Sequence, residues 1–211
     1  MGKTVIVDYG SGNVFSVARA LETAGTEVLL SADPGDIAQS DRLVLPGVGA
    51  FGAAWALLVE KNLVEPILAY IRKERPFLGI CVGMQMMMER SEEFGDTPGL
   101  GLIAGTVTRI PETGADGTRH PVPRVGWYSM REKDVSWSGT LFENIDETDA
   151  VYFVHSFAAQ PESAANNLAN SDYNGQTITA AVMHGNAVGV QFHPEKSGPV
   201  GLRILEKFIS L

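Results

Sequence analysis

The chain holds one cysteine, Cys81, and it stands in Gly79-Ile80-Cys81-Val82-Gly83, with a glycine two residues away on each side. The apolar run Phe77-Leu78-Gly79-Ile80 precedes it, and Met84-Gln85-Met86-Met87-Met88-Glu89-Arg90 follows it with helical character. Strand, sharp turn and helix, in that order, hold a nucleophile on a strained corner. A thiol at a helix N-terminus also feels a dipole that favours thiolate. Near the other end, Gln191-Phe192-His193-Pro194-Glu195-Lys196-Ser197 offers an imidazole and, two residues later, a carboxylate to orient it. Residues two apart share a side where the chain is extended, and Pro194 restricts the backbone between them. Thiol, imidazole and carboxylate together read as a Cys-His-Glu triad suited to nucleophilic attack on a carbonyl. Singly, each residue has a plainer reading: a lone cysteine is most often a small core residue, and the glycines serve any tight turn. The elbow and the His-Pro-Glu segment in one chain outweigh those readings.

The elements that must position these groups follow from the apolar pattern. Strands are predicted over 3–8, 27–30, 42–45 and 77–80. A helix is expected from Val14, after a turn at 9–13 that Asn13 could cap, to Gly25. Asp33-Pro34-Gly35-Asp36 reads as a turn. Helical stretches follow over 50–59, 63–74 and 82–90. Alternating strands and helices predict an α/β fold: an open, mostly parallel sheet with helices on both faces. Ligands then bind outside the carboxyl ends of the strands, where three loops fall: 9–13, 46–49 and the elbow. The second half is more β-rich, with strands expected over 102–110, 121–127, 150–157, 177–183 and 187–192. A loop spans 110–120, a hairpin turn is placed at 184–186, and a last helix runs over 199–209. No repeat or linker interrupts the chain, so a single domain over 1–211 is expected.

Composition narrows the function. At 211 residues and 45% hydrophobic content, the chain can bury a substantial core. One cysteine excludes an internal disulfide framework and a Cys-rich metal site. The formal charge of −9 disfavours nucleic acid and anionic membrane as partners. No signal-like leader or membrane-spanning run is read, and a cytoplasmic location is expected. No residue set has metal-ligand spacing, and Gly10-Ser11-Gly12 is no dinucleotide fingerprint, so no metal or cofactor is expected. Met84, Met86, Met87 and Met88 read as helix packing, and His120 and His184 as solvated loop residues.

The elbow Gly-Ile-Cys-Val-Gly-Met-Gln, the Pro46-Gly47-Val48-Gly49 loop and Gln191–Ser197 resemble the class I (triad-type) glutamine amidotransferases, whose fold is flavodoxin-like. The opening from Val7 to Gly25, with Tyr152–Phe157 and His193–Gly198, is most similar within that family to the glutaminase subunits of imidazole glycerol phosphate synthases. The pattern departs at Pro123-Arg124-Val125-Gly126-Trp127-Tyr128: Arg124 stands where the family often has His, and Tyr128 where it has Asn.

The resemblance implies hydrolysis of L-glutamine to glutamate and ammonia through a Cys81 thioester. His193 would act as acid and base and Glu195 would orient it. Val82 would give the first oxyanion-hole N–H and the Val48-Gly49 loop the second, with Gly47 and Gly49 leaving that loop free to rotate and so to gate activity. Gln85, His155, Ser156 and Phe157 would contact substrate. Asn13, Trp127 and Lys196 would face the partner, a (β/α)₈-barrel cyclase that uses the ammonia to make imidazole glycerol phosphate in histidine biosynthesis. The alternatives are a paralogous glutaminase serving another acceptor, such as sugar amidine synthesis, a related γ-glutamyl hydrolase or cysteine peptidase, and a scaffold subunit without turnover.

Overall fold

The computed structural model describes residues 2–132 and 135–211. Its main sheet has seven strands: β1 (Lys3–Val7), β2 (Glu27–Ser31), β3 (Arg42–Gly47), β4 (Phe77–Cys81), β11 (Asn167–Tyr173), β12 (Gln176–His184) and β13 (Ala187–Val190). Their spatial order is β11-β12-β13-β4-β3-β1-β2. The run from β13 to β2 is parallel, and β12 and β11 extend it antiparallel. The four strands in the middle are buried along almost their whole length, as their unbroken apolar sequences require of strands covered on both faces. Helix α1 (Val14–Ala24) packs against the last helix, α6 (Gly198–Ile209), and α2 (Pro34–Gln39) packs against α4 (Val64–Ile71). Right-handed crossovers place the two pairs on opposite faces. Helix α3 (Phe51–Glu60) lies between β3 and α4 in the chain.

A second sheet, in the order β10-β7-β5-β6, joins Phe157–Pro161, Ile103–Arg109, Met88–Ser91 and Thr97–Pro98. A two-stranded antiparallel ribbon joins β8 (Arg124–Ser129) and β9 (Ala150–His155).

Four expectations need correction. The helix after the elbow, α5, covers only Val82–Gln85, and Met88–Ser91 turns instead into a strand of the second sheet. Met84, Met86, Met87 and Met88 are all fully buried; a run buried on every side carries no periodicity to separate helix from strand. The turn at 33–36 starts helix α2: Pro34 occupies its first position, and the Asp33 carboxylate accepts hydrogen bonds from the Gly35 and Asp36 N–H groups at 2.6 and 3.3 Å. Asn13 precedes α1, but its side chain makes no capping bond. The single strand expected over 150–157 breaks at Ser156, where the chain leaves the β8–β9 ribbon and enters the second sheet as β10.

Candidate active site

Strand register brings the distant segments together. Gly47 pairs with Cys81 across β3 and β4, which sets Val48 and Gly49 beside the thiol. Val190 pairs with Ile80 across β13 and β4, so the chain leaving β13 carries Gln191 and then His193 past Cys81. Both neighbours of β4 thus end at the same rim, the carboxyl edge of the parallel strands.

Cys81 has φ 55° and ψ −110°, a left-handed conformation costly for a side-chain-bearing residue, of order 1–3 kcal/mol. Close packing enforces it. A Cβ on Gly83 would lie 1.8 Å from the Leu45 carbonyl oxygen, and one on Gly79 would lie 2.7 Å from that of Gly83. The flanking glycines are therefore needed for backbone contact across β3, β4 and α5.

His193 is buried, and its Nδ1 meets Glu195 Oε1 at 2.8 Å. The two do not share the side of an extended strand: His193 is extended, but Glu195 lies inside a 3-10 turn, Pro194–Lys196, which folds the carboxylate back under the ring. Ser197 fixes this turn by donating to the His193 carbonyl at 2.6 Å while accepting from the Tyr152 N–H at 3.0 Å. Burial alone would push the His193 pKa down. Hydrogen bonds to Cys81 and Glu195, with their charges, outweigh it and hold the imidazole at about 9. The ring is thus an imidazolium at neutral pH, facing the sulfur.

A cavity of about 380 Å³ opens beside Cys81. Val48, Gly49, Val82, Gln85, His155, Ser156, Phe157, His193 and Lys196 all border it, so it gathers most of the residues singled out in the sequence. Lys196 is at its exposed rim. Asn13 and Trp127 do not line it; Trp127 lies on the outward side of β8 at 54% exposure. Glu195 acts from behind His193, with its side chain enclosed.

Close packing and two hydrogen bonds hold the 46–49 loop. Gly47 admits no side chain, because a Cβ there would come within 3.0 Å of Tyr9 Oη, Val82 Cβ and the Gly83 nitrogen. Only Gly49, at φ 85°, has a conformation that needs glycine. The Val48 carbonyl accepts from Ser11 Oγ at 3.1 Å, and the Tyr9 hydroxyl donates to the Pro46 carbonyl at 2.8 Å, tying this loop to the 9–13 loop.

Gln85 is buried, and its Nε2 donates to the Phe157 carbonyl and to Gln191 Oε1, each at 3.0 Å. His155 Nδ1 donates to the same Phe157 carbonyl at 2.8 Å. Burial holds the His155 pKa down at about 3, with Arg124 and His193 adding to the depression, so the ring is neutral. Two donors on one carbonyl fasten the junction at 155–157 into a wall of the cavity.

Glu93, a cavity residue that the motifs did not reveal, accepts from the Phe51 N–H at 2.7 Å, which fixes its carboxylate at the start of α3. Neither Glu93, Gln191 nor Ser197 was assigned a role from sequence; their roles depend on which strands become neighbours. His120, expected in solvent, is instead buried, with Nε2 on the Pro111 carbonyl at 2.6 Å and its ring 4.2 Å from that of Tyr173.

The departures at 124 and 128 are internal. Arg124 is fully buried, with its guanidinium 4.0 Å from the Tyr128 ring centre, 4.4 Å from that of Phe153 and 5.2 Å from that of Tyr173. It donates to Ser171 Oγ at 2.6 Å and to the Asp172 carbonyl at 3.1 Å, so it pins the β8–β9 ribbon to edge strand β11. Burial pulls its pKa down to about 10, which leaves it charged at neutral pH.

Residues 5–211 match the family model described as "Glutamine amidotransferase class-I". "Imidazole glycerol phosphate synthase subunit HisH 1" of Legionella pneumophila (strain Lens) is 46% identical over 213 residues, covering 100% of both chains. "Imidazole glycerol phosphate synthase subunit HisH" of Syntrophotalea carbinolica is 45% identical over 205 residues, covering 97% of this chain and 98% of that one. Among solved structures, PurLQS from Thermotoga maritima superposes with a TM-score of 0.73 at 19% identity, covering 100% of this chain and 99% of that one. A glutamine amidotransferase from the same organism gives 0.60 at 21% identity, covering 99% and 81%.

Proposed function

Since this chain belongs to the class I glutamine amidotransferases, we propose that it is the glutaminase subunit of an imidazole glycerol phosphate synthase, acting in histidine biosynthesis as a single domain. One observation carries the reading at the level of chemistry. A lone thiol on a strained elbow faces an imidazole that is held 2.8 Å from a carboxylate, beside a cavity sized for an amino acid.

In this reading Cys81 Sγ attacks the side-chain carbonyl carbon of glutamine. His193 protonates the departing amine, because ammonia leaves poorly as an anion. Water, deprotonated by the now neutral imidazole, opens the γ-glutamyl thioester and releases glutamate. Glu195 fixes the tautomer and orientation of the ring. The oxyanion meets the N–H of Val82 and one from the Val48-Gly49 loop; a single such donor contributes about 3 kcal/mol to lowering the barrier. Gln85 and His155 hold the 155–157 segment against the substrate, where backbone groups of Ser156 and Phe157 receive the amino-acid end. Glu93 adds a fixed carboxylate suited to the α-ammonium group. No step requires a cofactor.

Ammonia released into water is protonated and lost as a nucleophile, so the reaction calls for a docked acceptor enzyme. We assign that role to a (β/α)₈-barrel cyclase in a heterodimer, with Asn13, Trp127 and Lys196 on the contact side. Arg124 and Tyr128 give no reason to choose another acceptor, since both turn inward and leave Val125 and Trp127 outward.

The test is glutamate release by this subunit alone and with a candidate cyclase carrying its nucleotide ligand. Stimulation by the cyclase, abolished in Cys81→Ala, is expected. Turnover that survives in Cys81→Ala rejects the nucleophile, and Cys81-dependent turnover indifferent to the cyclase rejects the partner.

A further inference from the structure

Gln191 lies next to the reactive sulfur and is wholly buried, so its amide must find its hydrogen bonds inside the protein. Its Nε2 lies 3.6 Å from Cys81 Sγ. The end of the amide that faces sulfur decides whether this contact helps or hinders a thiolate, and the chain of contacts settles it. The Phe157 carbonyl can only accept, so the Gln85 atom facing it is the NH₂ group. The second N–H of that group is directed at Gln191, whose facing atom must then be Oε1. Gln191 is left with its own NH₂ towards the sulfur.

We infer that Gln191 is a second donor to the Cys81 thiolate, opposite in kind to His193, and that Gln85 and the Phe157 carbonyl set its direction. The proposal rests on Cys81 as the nucleophile. His193 is an ionic donor that must give up its proton to the leaving amine, whereas the Gln191 amide is neutral and keeps its hydrogen throughout. It therefore stabilises the sulfur anion in the free enzyme and again when the thioester breaks and sulfur leaves as thiolate. It also links the nucleophile to the substrate wall, since the carbonyl that orients the relay belongs to the 155–157 segment.

Cys81 is the only cysteine, so alkylation of the intact protein by iodoacetamide reads one site. The rate, followed by mass spectrometry from acid to alkaline pH, is compared for wild type, Gln191→Glu and Gln191→Met. Gln191→Glu keeps the size and the acceptor for Gln85 and loses the donor to sulfur once its carboxyl is ionised; Gln191→Met removes both donor and acceptor at every pH. Both variants are expected to alkylate roughly tenfold more slowly at neutral pH, with profiles moved to higher pH, as the loss of a hydrogen bond to a charged group predicts. Wild-type profiles in variants that melt like wild type overturn the proposal. If either substitution prevents folding, the Gln191 side-chain amide protons of the ¹⁵N-labelled wild type serve instead. A shift of the proton facing sulfur upon alkylation supports the contact, and an unmoved pair overturns it. Glutamine turnover by the alkylated wild type separates the two layers. Persistent turnover sinks the nucleophile itself, whereas unshifted profiles in an enzyme that alkylation silences sink the Gln191 assignment alone.

Discussion

His155 and His193 border the same cavity, yet their surroundings push their proton affinities in opposite directions. Both start from an ordinary value near 6.5. His155, walled in and facing cations, falls to about 3, while His193, between sulfur and carboxylate, rises to about 9. Between 3 and 6.5 the unfolded chain binds the His155 proton and the folded one does not, so this contribution to stability is complete above 6.5 and fades as pH falls. For His193 the sign reverses: its contribution is complete below 6.5 and is lost as pH rises through about 9. The melting temperature should therefore peak near pH 6.5 and decline on both sides. Cys81→Ala, which removes the partner that raises His193, should flatten the alkaline limb alone. An alkaline limb unchanged in that variant would contradict the pairing of sulfur and imidazole. At this scale the meeting of Cys81, His193 and Glu195 was legible because the residues sit in short contiguous motifs. Gln191 was equally visible but had no readable role, since that role comes from β13 lying next to β4.

Among the elements, the β8–β9 ribbon is the most dependent on one side chain. Arg124 stacks on three aromatic rings and reaches β11 through Ser171 and Asp172, but its Nε and Nη1 find no partner among the described residues. A buried charge with incomplete hydrogen bonding is expensive to keep, so the apolar variant should fare better than the conservative one. Arg124→Lys keeps the charge but loses the planar stack and the fork; it should destabilise by about 3 kcal/mol, and Arg124→Met by about half as much. Urea denaturation measures both. Because His155 pairs with Arg124 across the ribbon, the glutamine KM should rise more in the lysine variant. Equal stability of the two variants would remove the charge-burial argument. The parallel half of the fold was readable because buried strands and amphipathic helices alternate there. The rest was less so for identifiable reasons. Strand β11, Asn-Leu-Ala-Asn-Ser-Asp-Tyr, is polar in composition and has register shifts near Ala169. The break at Ser156 separates two strands of different sheets without any glycine or proline to mark it.

For the molecule as a whole, the outward side of β8 carries Val125 and Trp127 at 50% and 54% exposure, apolar surface that a partner would cover. Trp127→Ala should keep its melting temperature within about 2 °C, as an exposed substitution does, while binding the proposed cyclase partner at least tenfold more weakly, as loss of an aromatic anchor predicts. Calorimetric titration would check it; unchanged affinity would move the interface elsewhere.

The sheet order has a consequence for how the protein is made. Strands β4 and β13 are neighbours, yet Cys81 and Gln191 are 110 residues apart in the chain, and the second sheet and the ribbon all lie between them. A ribosome releases the thiol long before the imidazole, and the last parallel strand can dock only after that long excursion has closed, a slow, high-contact-order event. Until then Cys81 and His193 stay apart. The topology thus sets an order: on the proposed chemistry, a truncated or nascent chain holds Cys81 without His193 beside it, and glutamine hydrolysis waits for the complete sheet.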